Sequence, residues 1–485
     1  MRGGSMSIFL RCVLGFSLIS LPLFAQDVDS SAVVVPDTLL EIFDDEDDLL
    51  SGFDEETAVK TQFEKEKFWS LTGDIRLSPS FNYDHQTHRV GLESLPIPIL
   101  PQVISENADY RGLTRLRLKN NLKLEIKLPR NWKIYASSLV FYDFAYRIKN
   151  RDDFSQQTLD AYESEFELQE AYIQGSPMQN LDLRIGRQVI NWGRADNIRV
   201  LDVLNPLDLR EPGMVDIEDL RLPVTMSRID YLFGKWTLTG AAIHEIRFNK
   251  FPAYGSEFYP LPIEKPHETI PENSFENTEF AFALRGTSIF PATDFSLHFA
   301  RFFDDAFHLK IKSPEITLQH SKLNLVGASL GIARGSWLLK SELAYIDGLE
   351  YATVSDNKSR IDMLAGFEYN GFKNTTLAMD IVNRHVHEHE EKMAAAPDQI
   401  SENDMQLVLT LRKDFMRETW HFMAVAALQD DWGEKGAYER ISLSYDWSDN
   451  LEFMAGSVQY QSGDLLLSKQ AADNDRVFFE VKYSF

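Results

Sequence analysis

Basic side chains recur at alternate positions in one stretch of the chain, where Arg115, Arg117, Lys119 and Lys123 share a parity. Successive side chains of a β-strand point to opposite faces, so residues of one parity line one face. Guanidinium and ammonium groups in such a row would attract carboxylates and phosphates. The same alternation adds further predicted lining positions, namely Arg184, Arg247, Arg360, Arg384 and Arg412, and Arg187 is also predicted to line the pore. Arg184 and Arg187 would lie near the stretch 192–220 as anchors or as part of a constriction. Acidic residues also occur at these alternate positions. The alternative is therefore a face on which most basic residues form ion pairs with acidic ones.

A second group of residues occupies the 29-residue stretch 192–220. Its polar and turn-forming members are Trp192, Gly193, Asp196, Asp202, Asn205, Pro206 and Asp208. Asn-Pro starts a turn and Gly193 permits one. The stretch also contains many apolar residues, such as Val200, Leu201 and Leu204, which is unlike a disordered loop. It therefore predicts an ordered, packed segment, with a short helix near 197–204.

Histidine residues supply the one metal-like cluster, His385, His387 and His389, whose alternate positions would project to one face of an extended chain. Imidazole with neighbouring carboxylates suits zinc or copper. The preferred interpretation is a polar loop that is rich in histidine, so neither a metal site nor a cofactor is predicted. The other histidines form no catalytic pairing, and no enzyme is expected.

The elements that would position these residues follow from strict apolar and polar alternation, which marks a strand with two different faces. In residues 71–83 the apolar positions are Leu71, Ile75, Leu77, Phe81 and Tyr83, and polar residues stand between them. Eighteen such segments occur, at 71–83, 110–128, 132–147, 162–174, 181–191, 221–233, 236–248, 278–289, 295–303, 322–333, 337–347, 359–370, 375–386, 403–413, 419–429, 437–447, 451–461 and 476–485. Their length is near or above the roughly 9–11 residues of a tilted membrane strand.

The fold class predicted is all-β, a transmembrane antiparallel β-barrel of about 18 strands (16–18), in the outer membrane of a Gram-negative cell. Short connections such as 129–131 and 448–450 alternate with mostly longer ones such as 192–220 and 249–277. Short periplasmic turns and long outer loops are typical of bacterial barrels. The final strand alternates up to Phe485, which is predicted to be the signal that the barrel assembly machinery reads. Outer-membrane lipid and lipopolysaccharide are then the expected surroundings.

The N-terminus predicts export. Arg11 precedes the apolar run 12–24, and Ala25 ends it, so residues 1–25 are predicted to be a signal peptide. Residues 26–70 are predicted to be an acidic periplasmic segment, and 71–485 the barrel; 27–70 contain fourteen acidic residues and three lysines. This segment is either a solvated tail or a peptide that recruits an inner-membrane transporter or another periplasmic partner. A net charge of −25 gives no support for a nucleic-acid partner.

The stretch 181–193, Leu-Asp-Leu-Arg-Ile-Gly-Arg-Gln-Val-Ile-Asn-Trp-Gly, followed by Asn205-Pro206 and Asp208, resembles a family of proteobacterial outer-membrane barrels with no assigned function. Glu170-Ala171-Tyr172 also fits, and the close resemblance covers about 165–215. Relatives are grouped with porin-like and alginate-export-type barrels, and members often accompany transporters of the resistance-nodulation-division class. The family's usual Trp-Gly-Glu stands here as Trp192-Gly193-Arg194, which puts any role of that acid in doubt.

Three functions remain open from the sequence. The first is a channel or export conduit for polar or anionic solutes, in which the third outer loop, 192–220, folds into the barrel as a constriction. The second is a barrel that handles lipids or other hydrophobic molecules with an inner-membrane transporter, to which inward apolar positions such as Phe141, Ile243 and Leu364 would contribute. The third is a structural barrel with a plugged lumen. For loop 192–220 the alternative to a constriction is an outer cap that rests on neighbouring loops.

Overall fold

The computed structural model describes residues 67–85, 108–195, 197–215, 220–260, 264–312 and 315–485. The predicted signal peptide, residues 26–66 of the acidic segment and Asp196 lie outside the described residues. The strands, in chain order, are β1 (Trp69–Asn82), β2 (Gly112–Leu128), β3 (Trp132–Asp143), β4 (Ser164–Met178), β5 (Leu181–Gln188), β6 (Val224–Phe233), β7 (Trp236–Ile243), β8 (His267–Glu268), β9 (Glu279–Phe290), β10 (Thr293–Phe303), β11 (His308–Lys312), β12 (Glu315–Gln319), β13 (Lys322–Arg334), β14 (Trp337–Leu349), β15 (Lys358–Phe372), β16 (Thr375–Val386), β17 (Asn403–Phe415), β18 (Trp420–Gln429), β19 (Gly436–Ser448), β20 (Leu451–Gln461) and β21 (Arg476–Ser484).

Eighteen of these strands form one closed antiparallel barrel, which confirms the predicted fold class. Each barrel strand pairs with the next one along the chain, and β1 closes the ring by pairing with β21, with Asp74 opposite Ser484. All eighteen predicted segments correspond to barrel strands, with differences of up to five residues at the ends. The remaining strands, β8, β11 and β12, form a small separate sheet in the long connections.

The alternation in sequence appears in the structure as two faces of the barrel wall. On β1, Leu71 and Ile75 point outward and are 50% and 41% exposed, whereas Asp74 and Ser80 point inward and are buried. On β2, Leu118 and Leu122 are exposed on the outer face. The outer face is therefore an apolar band suited to acyl chains, and the polar face encloses the lumen. These features place the barrel in the outer membrane.

The two ends of the barrel differ in the length of their connections. At the short-turn end, β6 and β7 are joined by 234–235 and β19 and β20 by 449–450. At the long-loop end lie the long connections, which also contain the helices α1 (Ala145–Ile148), α2 (Gln156–Tyr162) and α3 (Leu466–Ala471). This asymmetry matches the predicted periplasmic turns and outer loops. No helix in the described part of the chain is long and apolar enough to cross a membrane.

Candidate functional site

The third long connection, between β5 and β6, turns into the barrel and packs against the inner wall. We call its residues 189–223 loop L3. Leu201 is fully buried, and it lies so close to β13 that a Cβ at Gly327 would overlap its Cδ2 atom. The apolar core shared by L3 and the wall contains Ile190, Trp192, Ala195, Ile198, Val200, Leu201 and Leu204 from the loop and Met226, Ile243, Ala281, Ala300, Leu325, Ala344, Leu364, Val382 and Val408 from the strands. L3 is thus held inside the lumen by burial of apolar surface.

One wall residue, Glu342 on β14, binds the deepest part of L3. Its carboxylate accepts backbone hydrogen bonds from Arg194, from Ala195 (3.1 Å) and from Leu201 (3.1 Å). Gly193 passes so close that a Cβ there would stand 2.9 Å from Glu342 Oε1. The predicted helix near 197–204 is wrong: the segment consists of bends and irregular backbone. The Leu201 amide donates to the Glu342 carboxylate instead of to a carbonyl one helical turn back.

The turn residues of L3 fasten its two ends to each other. Asn205 Oδ1 accepts a hydrogen bond from Ile190 N (2.9 Å), and Asn205 Nδ2 donates to the Leu222 carbonyl (2.9 Å). The Pro206 carbonyl accepts from Leu222 N (2.7 Å). Asp202 forms an ion pair with Arg221 at 2.8 Å. The Asn-Pro motif therefore joins the residues that follow β5 to the residues that precede β6.

The second half of L3 contacts the basic residues of β2. The Glu211 carboxylate accepts hydrogen bonds from both Nη atoms of Arg117 (2.9 and 3.1 Å) and lies 3.3 Å from Arg115 Nη1. Burial by itself would raise the pKa of Glu211, but Arg117 and Arg115 hold that pKa well below its usual range. Next to it, Asp208 pairs with Arg210, which also pairs with Glu165 on β4 at 2.7 Å.

L3 continues from there to the wall at β20, three strands from β2 around the barrel, where the fourth long loop meets it. The Pro212 carbonyl accepts a hydrogen bond from Tyr460 on β20 (2.6 Å). Met214 packs in an apolar cluster with Val458 and with Phe258 of the loop that follows β7. The neighbouring Glu257 forms a bidentate ion pair with Arg476 on β21, at 2.8 and 3.0 Å. Two inward loops therefore cross the lumen between β14, β2 and β20.

The predicted lining residues divide into paired and exposed groups. Arg187 and Arg247 both pair with Glu167 of β4, at 3.0 and 2.9 Å. Arg360 and Arg384 both lie beside Asp362 of β15, at 2.7 and 3.6 Å. Arg184 donates to Gln174 and lies over the Tyr172 ring, whereas Lys123 and Arg412 are exposed. Lys119 lines a cavity of about 110 Å³ beside Arg117, Glu165 and Arg210.

The histidine cluster does not converge on one point. His385 Nδ1 lies 3.1 Å from Asn403 Oδ1, and His389 Nε2 lies 2.8 Å from the Ile400 carbonyl. The His387 ring packs edge-on against His385. The described residues hold no group of three His, Cys, Asp or Glu side chains arranged for a metal ion.

Sequence reasoning missed the acidic partners of the loops, above all Glu342, Glu211 and Glu257. Glu342 contacts residues 141 to 148 positions away in the chain, and nothing in the local pattern around it indicates that distance. The alternation could place Glu342 in the lumen, but only the three-dimensional course of L3 gives it a partner.

A closed membrane barrel of 18 strands with loops folded into a charged lumen defines a porin-like outer-membrane protein, and such a barrel is the architecture of a channel. Over residues 105–485 the chain matches the model of the family described as "Protein of unknown function (DUF1302)", and it belongs to that family. No curated protein matches it.

Solved structures similar to this chain are also outer-membrane barrels. OccK9 (OpdG) of Pseudomonas aeruginosa aligns with a TM-score of 0.50 at 10% identity and covers 86% of this chain and 98% of its own. OccAB4 of Acinetobacter baumannii has a TM-score of 0.47 at 11% identity, over 87% and 99%. At these identities the similarity concerns the fold.

Proposed function

We propose that this protein is a non-catalytic outer-membrane channel for small polar solutes, with a preference for anions, and that L3 forms its constriction. The observation that supports this most is the course of L3, which binds Glu342 of β14 at its deepest point and Arg117 of β2 further along. A segment anchored at both walls narrows the aqueous path at that level. Solutes then pass beside L3 rather than through an unobstructed lumen.

The preference for anions rests on the basic residues that remain exposed. Lys123 and Arg412 share the inward phase of the buried Asn121 and Thr410, and both are exposed on the short-turn side of L3. Most other basic residues of the lumen form ion pairs with acidic residues. Lys123 and Arg412 therefore add positive potential where solutes pass. A low-dielectric wall strengthens such a field.

The inward apolar residues do not favour a barrel for hydrophobic cargo. Ile243 and Leu364 are covered by L3, Phe141 lies under the Arg117 guanidinium at 4.3 Å, and Phe478 lies under Arg440. Because these four residues are covered, they do not favour an apolar path for a lipid. The direction of transport, uptake or export, would depend on a periplasmic partner, and we propose residues 27–70 as the segment that contacts it.

Solute uptake into liposomes tests this function. The refolded protein is reconstituted, and influx is compared for solutes of similar size that are anionic, neutral or cationic. We expect the anion to enter fastest, and we expect the Lys123→Gln/Arg412→Gln double variant to reduce that preference. Exchange of Lys373, an exposed lysine in the turn between β15 and β16, for Gln is the control. Equal influx of all three solutes would contradict the preference, and no influx would contradict the channel.

A further inference from the structure

A cavity of about 390 Å³ lies inside the barrel on the short-turn side of L3. Three basic side chains line it, Arg194, Arg285 and Lys340, together with two acidic ones, Asp294 and Glu368. Asp294 is the second residue of β10 and Lys340 the fourth of β14, which places the cavity near the strand ends that meet at short turns. Lys340 forms an ion pair with Glu368, and the lining as a whole contains one more basic side chain than acidic ones.

The Arg194 side chain is held firmly and yet is incompletely satisfied. Its Nε atom donates to Ser329 Oγ at 2.8 Å, and the guanidinium lies over Gly331, where no side chain fills the space. Its Nη2 atom is buried and has no hydrogen-bond partner within the described residues. A buried donor without an acceptor costs free energy, and a second guanidinium in the same cavity adds repulsion. An anion between the two arginines would remove both penalties.

We propose that this cavity binds a small oxyanion, a carboxylate or a phosphate, through Arg194 and Arg285. The planar fork of a guanidinium matches the two oxygens of such groups. Asn191 and Thr287 also line the cavity and supply polar groups to the rest of a hydrophilic solute. The proposal rests on the proposed function in one respect, because solutes would reach the site through the lumen. The site would bind an anionic solute on the short-turn side of the constriction.

Calorimetric titration of the refolded full chain in detergent micelles at low ionic strength tests the site. The probes are sodium succinate and inorganic phosphate, in separate titrations, so that the two sources of an oxyanion are distinguished. We expect one binding event for at least one probe, and we expect Arg285→Gln to weaken it about tenfold or more because one charged pair of hydrogen bonds is lost. The control is Arg334→Gln, which removes a charge from an exposed residue at the end of β13, outside the cavity.

Equal weakening by Arg285→Gln and Arg334→Gln would overturn the site, because it would mean that net charge alone attracts the probe. Absence of binding to the wild-type chain for both probes would overturn it as well. Gly331→Leu is a second variant that fills the cavity without changing charge, and it should abolish binding while the barrel remains heat-modifiable on gels. Binding without solute influx into liposomes would refute the channel but not the anion site. Influx without binding would refute the anion site but not the channel.

Discussion

Replacing Glu342 by alanine should release the deepest part of L3 from the barrel wall. Glu342 is 2% exposed and accepts three backbone hydrogen bonds from L3. In the variant, the amides of Arg194, Ala195 and Leu201 lose their acceptor while they remain enclosed. Each orphaned donor costs about 1–3 kcal/mol. Removing a buried carboxylate recovers part of this sum, because that group no longer has to be desolvated.

We therefore expect a net loss of about 3 kcal/mol in the docking of L3, less than the sum for the three amides. Since about 1.4 kcal/mol corresponds to a factor of ten, the undocked fraction should rise roughly a hundredfold. The apolar contacts of Leu201 and its neighbours remain, so the barrel itself should still fold. An undocked loop widens the path, and the single-channel current should become larger and noisier.

The assay is single-channel recording in a planar bilayer, together with limited proteolysis of the folded protein at L3. Glu452→Ala is the matched control, because Glu452 is a lumen carboxylate that pairs with Lys482 (3.1 Å) rather than with L3. If Glu342→Ala has the current, the noise and the protease resistance of wild type, the carboxylate does not hold the loop and the account of the constriction is refuted.

Three further predictions concern the barrel and its ends. On β19, Leu443→Arg should destabilise the barrel by about 2–4 kcal/mol because Leu443 faces lipid. Ser444 faces the lumen, so Ser444→Arg should have little effect on the free energy of unfolding. Equal urea midpoints for the two variants would mean that the faces are misassigned. Phe485 exchanges two backbone hydrogen bonds with Gly73 across the barrel seam, so Phe485→Asp should lower assembled protein several-fold and Phe485→Tyr should not; unchanged outer-membrane levels would remove its role. Deleting 27–66 should leave refolding in vitro intact, and failure to insert would assign the segment to the barrel.

The sequence predicted the barrel well because the wall is a repeated local pattern. Each strand alternates between lipid and lumen with a period of two, so β1 or β14 can be recognised from its own residues. The turns are equally local, as in the connection 234–235. The small sheet of β8, β11 and β12 was missed because its strands are two to five residues long and show no sustained alternation.

The lumen was only partly predictable. The apolar residues of L3 correctly indicated a packed loop, because Leu201 and Leu204 could not remain in water. The partners that hold L3 in place lie on distant strands, and Glu342 and Arg117 have no local feature that distinguishes them from other lumen charges. The sequence likewise gave no indication that Glu257 of the next loop pairs with Arg476 across the mouth.

The central claim, an aqueous path past L3 through a membrane barrel, is tested most directly by the conductance of the wild-type chain. The refolded protein is added to a planar bilayer that separates two KCl solutions of different concentration, and single-channel steps and the reversal potential are recorded. The account predicts discrete steps and a reversal potential that favours chloride over potassium. A barrel that is folded and inserted, as judged by heat-modifiable migration, but that produces no conductance steps would contradict it.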